Sequence, residues 1–251
     1  MIHTKTKKHL DILCRNNAFE FTQTFFPYTS GQIGNYYVQS AVIMKQGSDF
    51  AEAIKDMKEL VVYNTRAYSD NLVISGGETR DWIFSFPVAA GLQKPHVMIY
   101  KDGKIIGADM KSRSVAHVAD LNNEGSSPRD LWVPAIKKAG GNIEDIFFYI
   151  DRMEEGTEVM KGLGLESHSL VEMNKEAWTY LMGQRIVDRT VYENSMKRLE
   201  DKDAWARTML RSDSGFNAFK ELWRTQHQKA VKILEKGYPD MKEEMIERLN
   251  R

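Results

Sequence analysis

The segment VAHVADLNNEGSS, residues 115–127, changes from a buried strand to a polar loop and then to a helix start within thirteen residues. Its first half consists of small and β-branched apolar residues, which are typical of a strand covered by helices on both faces. Asp120 ends that run, and loop-forming residues follow it as far as Gly125. Ser126 or Ser127 is then placed to cap a helix that has Pro128 near its first position.

A second apolar run, IEDIFFYI at residues 143–150, follows the Gly140–Gly141 pair. The order strand, loop, helix, strand requires a crossover connection between parallel strands. We therefore predict an α/β domain built on a parallel sheet flanked by helices. Ligands of such sheets bind at the carboxyl ends of the strands, which places residues 120–127 in a ligand-facing loop.

The loop has the chemistry of a sugar-phosphate site. Backbone N–H groups at a helix start attract a phosphate, and a carboxylate such as that of Asp120 suits ribose hydroxyls. The residues whose amides would surround the phosphate are Asn123, Glu124, Gly125, Ser126 and Ser127. The alternative is purely structural, because any strand–loop–helix connection needs a cap.

Composition excludes several classes of protein. The chain has 251 residues, with 35 basic and 35 acidic side chains, so its net charge favours neither nucleic acid nor an anionic membrane as a partner. Cys14 is the only cysteine, which excludes an intrachain disulfide and a multi-cysteine zinc site. With no apolar run of about 18 residues and no signal-peptide pattern, we expect a cytoplasmic protein.

Helical and strand patterns divide the chain into two parts. Strand-like runs separated by helical ones continue to about residue 171, whereas from about residue 175 only helical spacing remains. We predict an α/β domain over residues 1–172 and an α-helical C-terminal extension over residues 173–251. A stripe of aromatic and aliphatic residues in the extension is typical of a helix core.

Three other stretches carry candidate ligand residues, each with a structural alternative. Tyr36 and Tyr37 follow a glycine turn and either stack on a base or are half-buried edge residues. Arg80 follows Gly76–Gly77 and either meets an anion or is solvated at a helix start. Lys101 and Lys104 enclose an Asp-Gly turn, which fits a cationic flap or an ordinary hairpin.

Taken in order, these stretches resemble the orotate phosphoribosyltransferases, within the type I phosphoribosyltransferase family. The resemblance covers about residues 10–170. The matching segments are FPYTSGQIGNYY at 26–37, VISGGETRDW at 73–82, YKDGKIIG at 100–107, VAHVADLNNEGSS at 115–127 and YIDRMEEG at 149–156. They are similar to the family's SG…YY segment, its pyrophosphate loop, its mobile RKxxKxHG loop, its phosphoribosyl pyrophosphate motif and its VDRxEGG segment, whose arginine, Arg152 in this chain, binds orotate.

The same motifs depart from the family pattern. One of two adjacent acids is Ala119, Asn123 replaces a threonine, and Asp81 replaces a glycine in the pyrophosphate loop. Other losses of charge are at Tyr100, where the family has arginine, Ile106, where it has histidine, and Thr29, where it has lysine. Each lost charge-assisted hydrogen bond is worth about 1.5–3 kcal/mol, so several together could abolish turnover and leave binding.

The resemblance implies a transferase of the pyrimidine biosynthesis pathway, in which phosphoribosyl pyrophosphate with Mg²⁺ and a pyrimidine-like base are the substrates. Lys101, Lys104 and Asp120 would be its catalytic residues, no protein metal site is implied, and the family's mobile loop implies a homodimer. Two alternatives remain open. One is a catalytically silent homologue that binds a nucleotide or phosphoribosyl pyrophosphate as a regulatory ligand, and the other is an interaction protein whose helical extension is functional.

Overall fold

A computed structural model describes residues 2–65 and 70–250 and divides the chain into two compact units. The first, which we call the α/β unit, consists of residues 1–18 and 39–177. The second, the hairpin–helix unit, consists of residues 19–38 and 178–251. The predicted domain boundary at residue 172 stays a prediction, and in this division residues 19–38 group with the C-terminal helices and not with the α/β unit.

The elements in chain order are α1 (Thr4–Arg15), β1 (Phe19–Pro27), β2 (Ile33–Val38), a 3-10 turn (Ser40–Lys45), α2 (Gly47–Asn64), β3 (Leu72–Gly77), α3 (Asp81–Gly91), β4 (His96–Ile99), β5 (Ile105–Gly107), β6 (Ser114–Asn122), a π-helical turn (Pro128–Trp132) leading into α4 (Val133–Lys138), β7 (Asn142–Asp151), α5 (Gly156–Gly162) and β8 (Glu166–Glu172). They continue with α6 (Lys175–Gly183), α7 (Arg189–Glu200), α8 (Lys202–Arg211), α9 (Asp213–Thr225), α10 (His227–Lys232), a π-helical turn (Ile233–Gly237), a 3-10 turn (Pro239–Met241) and α11 (Lys242–Leu249).

The α/β unit contains a six-stranded sheet in the order β5–β4–β3–β6–β7–β8. All neighbouring pairs are parallel except β4 and β5, which form an antiparallel hairpin at one edge. The crossover from β6 through α4 to β7 follows the predicted order, and the predicted helix-flanked parallel sheet is confirmed.

Burial explains the long apolar runs in β6 and β7. They are central in the sheet, and Val118, Ala119, Phe147 and Phe148 are fully shielded from solvent. A strand covered on both faces has no solvated side, so its sequence is a nearly continuous apolar run and not an alternating one. The two polar residues that interrupt the buried part of β6, His117 and Asp120, are therefore conspicuous.

The hairpin–helix unit has a core of its own. Phe25 of β1 and Ile33 of β2 belong to one buried cluster with side chains of the C-terminal helices, among them Trp205, Met209, Phe219, Leu222, Ile233, Leu234 and Tyr238. The turn of the hairpin packs against the backbone of residues 232–237. A Cβ on Gly31 would lie 2.7 Å from the carbonyl oxygen of Lys232 and 3.2 Å from the backbone nitrogen of Gly237. Packing this close explains why glycine is required at residue 31, which also has a φ of +98°.

The helices of the extension begin and end at local signals. Asp201 and Ser212 accept hydrogen bonds from backbone N–H groups of α8 and α9 and therefore cap these two helices. Across residues 2–65 and 70–250, no helix is both long enough and apolar enough to cross a membrane.

Candidate functional site

The carboxyl ends of β3 and β6 lie side by side, and Asp120 is near the end of β6. Asp120 is on β6, which continues to Asn122, so the strand extends two residues beyond the predicted end. Its Oδ2 accepts a hydrogen bond from the hydroxyl of Ser40 at 2.8 Å, and the Nε of Arg80 lies 3.6 Å from the same oxygen. Arg80 and Asp120, both predicted from the sequence, therefore belong to one site.

Asp81 is a neighbour of Asp120 that was not among the predicted site residues. It is the first residue of α3 and only 4% exposed. Its Oδ1 accepts a hydrogen bond from the backbone N–H of Asp120 at 3.0 Å, and its Oδ2 accepts one from the N–H of Gly77 at 3.1 Å. A departure from the family pattern is thus a second buried carboxyl group beside Asp120.

Burial dominates the electrostatics of this pair. It raises the pKa of Asp81 to about 7, although the N–H groups of Asp120 and Gly77 oppose the shift. Burial and the neighbouring Asp81 carboxylate raise the pKa of Asp120 to about 7, although Arg80 opposes the shift. Two adjacent carboxyl groups in a site of low polarity do not both ionise readily, so near neutral pH the pair retains a proton.

A buried histidine lies against the same pair. The Nδ1 of His117 is 2.9 Å from the hydroxyl of Ser75, and its ring stacks on Trp132 with 4.3 Å between ring centroids. Its Nε2 is 3.9 Å from the Oδ2 of Asp81, which is too long for a hydrogen bond. Burial lowers the pKa of His117 to about 3, so the ring is neutral. A histidine inside an apolar strand run was the signal that could have identified this position.

Lys101 and Lys104 lie at the tip of the β4–β5 hairpin, and both are exposed. The backbone N–H of Lys101 donates to Oε2 of Glu78 at 2.9 Å, and the ring of Tyr100 packs edge-on against Trp82 at 5.0 Å. These contacts hold the hairpin tip beside the loop that connects β3 to α3. Because Arg80 is on that loop, three cationic side chains lie on adjacent connections.

The loop after β6 contains the predicted phosphate-binding residues. The first helical turn begins at Ser126, but the side chain of Ser127 makes no capping hydrogen bond, so the predicted cap is absent at that residue. Gly125 has a φ of +68°, and a Cβ there would lie 2.8 Å from that of Val159, which requires glycine. Asn123 and Glu124 are partly exposed in the same loop.

A cleft of about 480 Å³ opens beside this loop. Its lining residues are Glu124, Ser126, Arg129, Glu155, Glu158 and Val159. Three carboxylates face one guanidinium, and Arg129 is already paired with Asp130 at 2.7 Å. The surroundings of Ser126 are therefore more acidic than the sequence of the loop alone indicates.

Arg152 lies at the end of β7 and is only 4% exposed. Its Nε is 3.4 Å from Oε1 of Glu154, and its backbone N–H donates to the carbonyl oxygen of Asn122. The adjacent Asp151 accepts a hydrogen bond from Asn122 at 2.8 Å. The guanidinium of Arg152 therefore has an acidic partner within the α/β unit.

Tyr36 and Tyr37 belong to the hairpin–helix unit. Tyr36 is only 3% exposed, and its ring meets Trp178 edge-on at 5.0 Å. Tyr37, on the opposite face of β2, is 38% exposed. Of the two tyrosines, Tyr36 is a core residue and Tyr37 retains a surface available to a ligand.

Among residues 2–65 and 70–250, no group of three or more histidine, cysteine, aspartate or glutamate side chains is arranged to hold a metal ion. Asp120 is already bonded to Ser40 and lies beside Arg80.

Comparisons with known proteins bear on the family. No family model matches the chain. An orotate phosphoribosyltransferase from Staphylothermus marinus is 25% identical over 72% of this chain and 87% of its own length. An adenine phosphoribosyltransferase from Erwinia tasmaniensis is 29% identical over 45% of this chain and 73% of its own length.

Solved structures agree at the level of the fold. The crystal structure of orotate phosphoribosyltransferase from Aeropyrum pernix matches 70% of this chain and 99% of that one, with a TM-score of 0.61 and 19% identity. The structure of Leishmania donovani UMP synthase matches 78% of this chain, but only 42% of that longer protein, with a TM-score of 0.68 and 13% identity. The chain is therefore similar in sequence to orotate phosphoribosyltransferases and shares the fold of their solved structures, and the resemblance that its motifs indicate is confirmed.

Proposed function

We propose that this chain is a phosphoribosyltransferase that transfers ribose 5-phosphate from phosphoribosyl pyrophosphate to a pyrimidine-like base, with orotate as the first candidate. The observation that carries the proposal is the placement of Arg80, Lys101 and Lys104 on two adjacent connections, with Arg80 3.6 Å from Asp120. Relatives named phosphoribosyltransferases support the enzyme class. Because adenine phosphoribosyltransferases are also similar to this chain, the relatives support the enzyme class and do not select the base.

In the proposed reaction, the bond between the ribose C1′ and the pyrophosphate oxygen breaks, a bond from C1′ to the base nitrogen forms, and the proton on that nitrogen is released to solvent. Pyrophosphate leaves with the electron pair, so negative charge develops on it as the ribose becomes cationic. Arg80, Lys101 and Lys104 would stabilise the departing charge, and Asp120 would position the ribose hydroxyls. These roles require no covalent bond to the protein.

Magnesium would enter with the substrate. Because the described residues form no cluster of metal ligands, a Mg²⁺ ion would be held by pyrophosphate oxygens and water, as this ion commonly is. Its charge would offset that of the pyrophosphate. The protein's contribution is then the cationic side chains and the backbone N–H groups of residues 123–127.

The silent homologue is the second candidate, and two observations favour it. Arg152 is buried in an ion pair with Glu154, and three carboxylates line the cleft beside Ser126. Both features oppose binding of an anionic base or a 5′-phosphate. The silent homologue should bind phosphoribosyl pyrophosphate or a nucleotide and release no pyrophosphate.

The test is pyrophosphate release from phosphoribosyl pyrophosphate with orotate, and separately with adenine, together with a thermal-shift titration of phosphoribosyl pyrophosphate. Release with orotate supports the proposal, and release with adenine alone corrects the base. A thermal shift without release selects the silent homologue. If neither pyrophosphate release nor a thermal shift is observed, both candidates are rejected and an interaction protein is favoured.

We also propose that the protein is a homodimer, because the mobile loop of the resembling family serves the neighbouring subunit. Light scattering at micromolar concentration should give twice the mass of 28.9 kDa. A monomeric mass would remove the dimer from the proposal and leave the reaction to be tested separately.

A further inference from the structure

The carboxylate of Asp81 occupies two backbone donors that belong to different strands. The N–H groups of Gly77, at the end of β3, and of Asp120, near the end of β6, converge on its two oxygens at 3.1 and 3.0 Å. Backbone N–H groups that converge in this way form an anion-binding position. In this chain the anion is one of the protein's own side chains.

The fit around that carboxylate is close. A Cβ on Gly77 would lie 2.6 Å from Oδ2 of Asp81 and 2.2 Å from the indole nitrogen of Trp132, so only glycine leaves room for both side chains. Asp81 is the first residue of α3, an eleven-residue helix, and the positive end of the helix dipole further favours an anion there. These backbone and dipole contributions favour a carboxylate at this position and oppose the effect of burial, which raises the pKa of Asp81.

The groups that face the pair come from every element packed against it. The loop before α3 contributes Arg80, at 3.6 Å from Asp120. Strand β6 contributes the neutral ring of His117, at 3.9 Å from Asp81, and β3 contributes Ser75, which bonds to that ring. The 3-10 turn contributes the hydroxyl of Ser40, and Trp132 stacks on His117. One half-exposed guanidinium thus faces two buried carboxyl groups.

We propose that Asp81 is a specificity-determining residue, whose ionised carboxylate competes with the pyrophosphate group of phosphoribosyl pyrophosphate, so that the substrate binds more tightly when the Asp81–Asp120 pair carries a proton. The inference deepens the proposed function and rests on it. Its physical basis is charge: an incoming anion beside a buried pair is repelled more strongly by two negative charges than by one, and the repulsion is poorly screened away from solvent.

The sign of the pH effect follows from the raised pKa values of the two carboxyl groups. As the pH rises through 7, the pair loses its proton and gains negative charge, so affinity for the anionic substrate should fall. Phosphoribosyl pyrophosphate has phosphate groups that also titrate, with a second pKa near about 6. That contribution is the same for all variants, so the ratio of dissociation constants between a variant and the wild type isolates the pair.

The experiment is calorimetric titration of phosphoribosyl pyrophosphate with Mg²⁺ into wild type, Asp81→Asn and Asp81→Gly between pH 6 and 8.5. Asp81→Asn should bind about tenfold more tightly than wild type at pH 8 and about equally at pH 6, as expected for removal of one nearby charge. Asp81→Gly removes the whole side chain and keeps the test valid if the asparagine variant misfolds. Glu144→Gln, an exposed residue near the start of β7, is the matched control and should bind as wild type.

Two results would overturn the inference while the proposed function stands. One is weaker binding by both Asp81 variants at pH 8 together with wild-type turnover, and the other is a ratio that does not change with pH. Binding by the Asp81 variants but not by wild type would support the inference in its strongest form. If no form of the protein binds phosphoribosyl pyrophosphate at any pH, the proposed function fails and the inference falls with it.

Discussion

Two regions of the molecule match family motifs: the carboxyl ends of β3 and β6, and the β1–β2 hairpin. Different forces hold their conformations. At the strand ends, hydrogen bonds to buried carboxyl groups hold the geometry, as in the contacts of Asp81 with Gly77 and of Asp120 with Ser40. The hairpin is held by apolar packing against the C-terminal helices, through Phe25 and Ile33. Polar contacts can respond to a ligand or to pH, whereas apolar packing mainly sets stability.

The largest expected effect tests the apolar side of this comparison. Phe219 is fully buried in the cluster that contains Phe25 and Ile33, so Phe219→Ala should lower the free energy of unfolding by about 3–5 kcal/mol. Urea denaturation measures it. Phe86→Ala, at a residue that is 43% exposed, is the control and should change little. A cost below about 1 kcal/mol for Phe219→Ala would mean that this packing does not fix the hairpin–helix unit.

The next effect concerns the cationic connections. Lys104→Ala should lower kcat and kcat/KM together by about 10–100-fold, because a charge that acts on the departing pyrophosphate contributes mainly at the transition state. Steady-state kinetics with phosphoribosyl pyrophosphate and orotate measure it, and Lys138→Ala, an exposed residue of α4, is the control. Wild-type turnover that Lys104→Ala leaves intact would exclude this hairpin from the reaction.

Asp120→Asn tests the polar side directly. It should weaken binding of phosphoribosyl pyrophosphate by about 1–3 kcal/mol, through loss of a charged acceptor for the ribose hydroxyls. The sign is opposite to that expected for Asp81→Asn, although both changes remove one carboxylate from the same pair. Calorimetry decides, with the exposed Asp109→Asn as control. An unchanged dissociation constant would place the ribose elsewhere.

The smallest effect belongs to the polar contact within the apolar region. The hydroxyl of Tyr238 donates to Oε1 of Gln32 at 2.6 Å and accepts from the N–H of Ile33 at 3.4 Å. Tyr238→Phe should therefore cost about 1 kcal/mol of stability, since one hydrogen-bonded hydroxyl is lost and the ring remains. Thermal unfolding measures the change, and Tyr63→Phe, at an 89% exposed residue, should show none. If Tyr238→Phe lost more stability than Phe219→Ala, polar contacts and not apolar packing would dominate the hairpin–helix unit.

Local patterns in the sequence predicted the sheet well, because burial on both faces leaves a visible trace in each strand. The runs that contain Val118 and Phe147 identified β6 and β7, and the glycine pair at 140–141 identified the connection between them. No local sequence pattern indicated that the β1–β2 hairpin groups with residues 178–251. This grouping depends on contacts between residues about 200 positions apart, which local periodicity does not encode.

The candidate site was predictable in its outline and not in its charges. Arg80 and Asp120 were expected at strand ends and lie 3.6 Å apart, because the ends of parallel neighbours meet. Burial of Asp81 was not expected, since acidic residues in the first turn of a helix are usually solvated at the positive end of the dipole. The ion pair of Arg152 with Glu154 was also missed, because it depends on side-chain conformation after a strand end.

The long sequence separation within the hairpin–helix unit has a consequence for synthesis in the cell. Ile33 and Tyr238, which share a hydrogen bond, are 205 residues apart. At about 5–20 residues per second, a ribosome needs about 10–40 s to make the partners of the hairpin after the hairpin itself has been made. During that interval Phe25 and Ile33 have no native neighbours from α8 to α11 to cover them, so the nascent chain presents an aggregation-prone strand pair of the kind that chaperones bind.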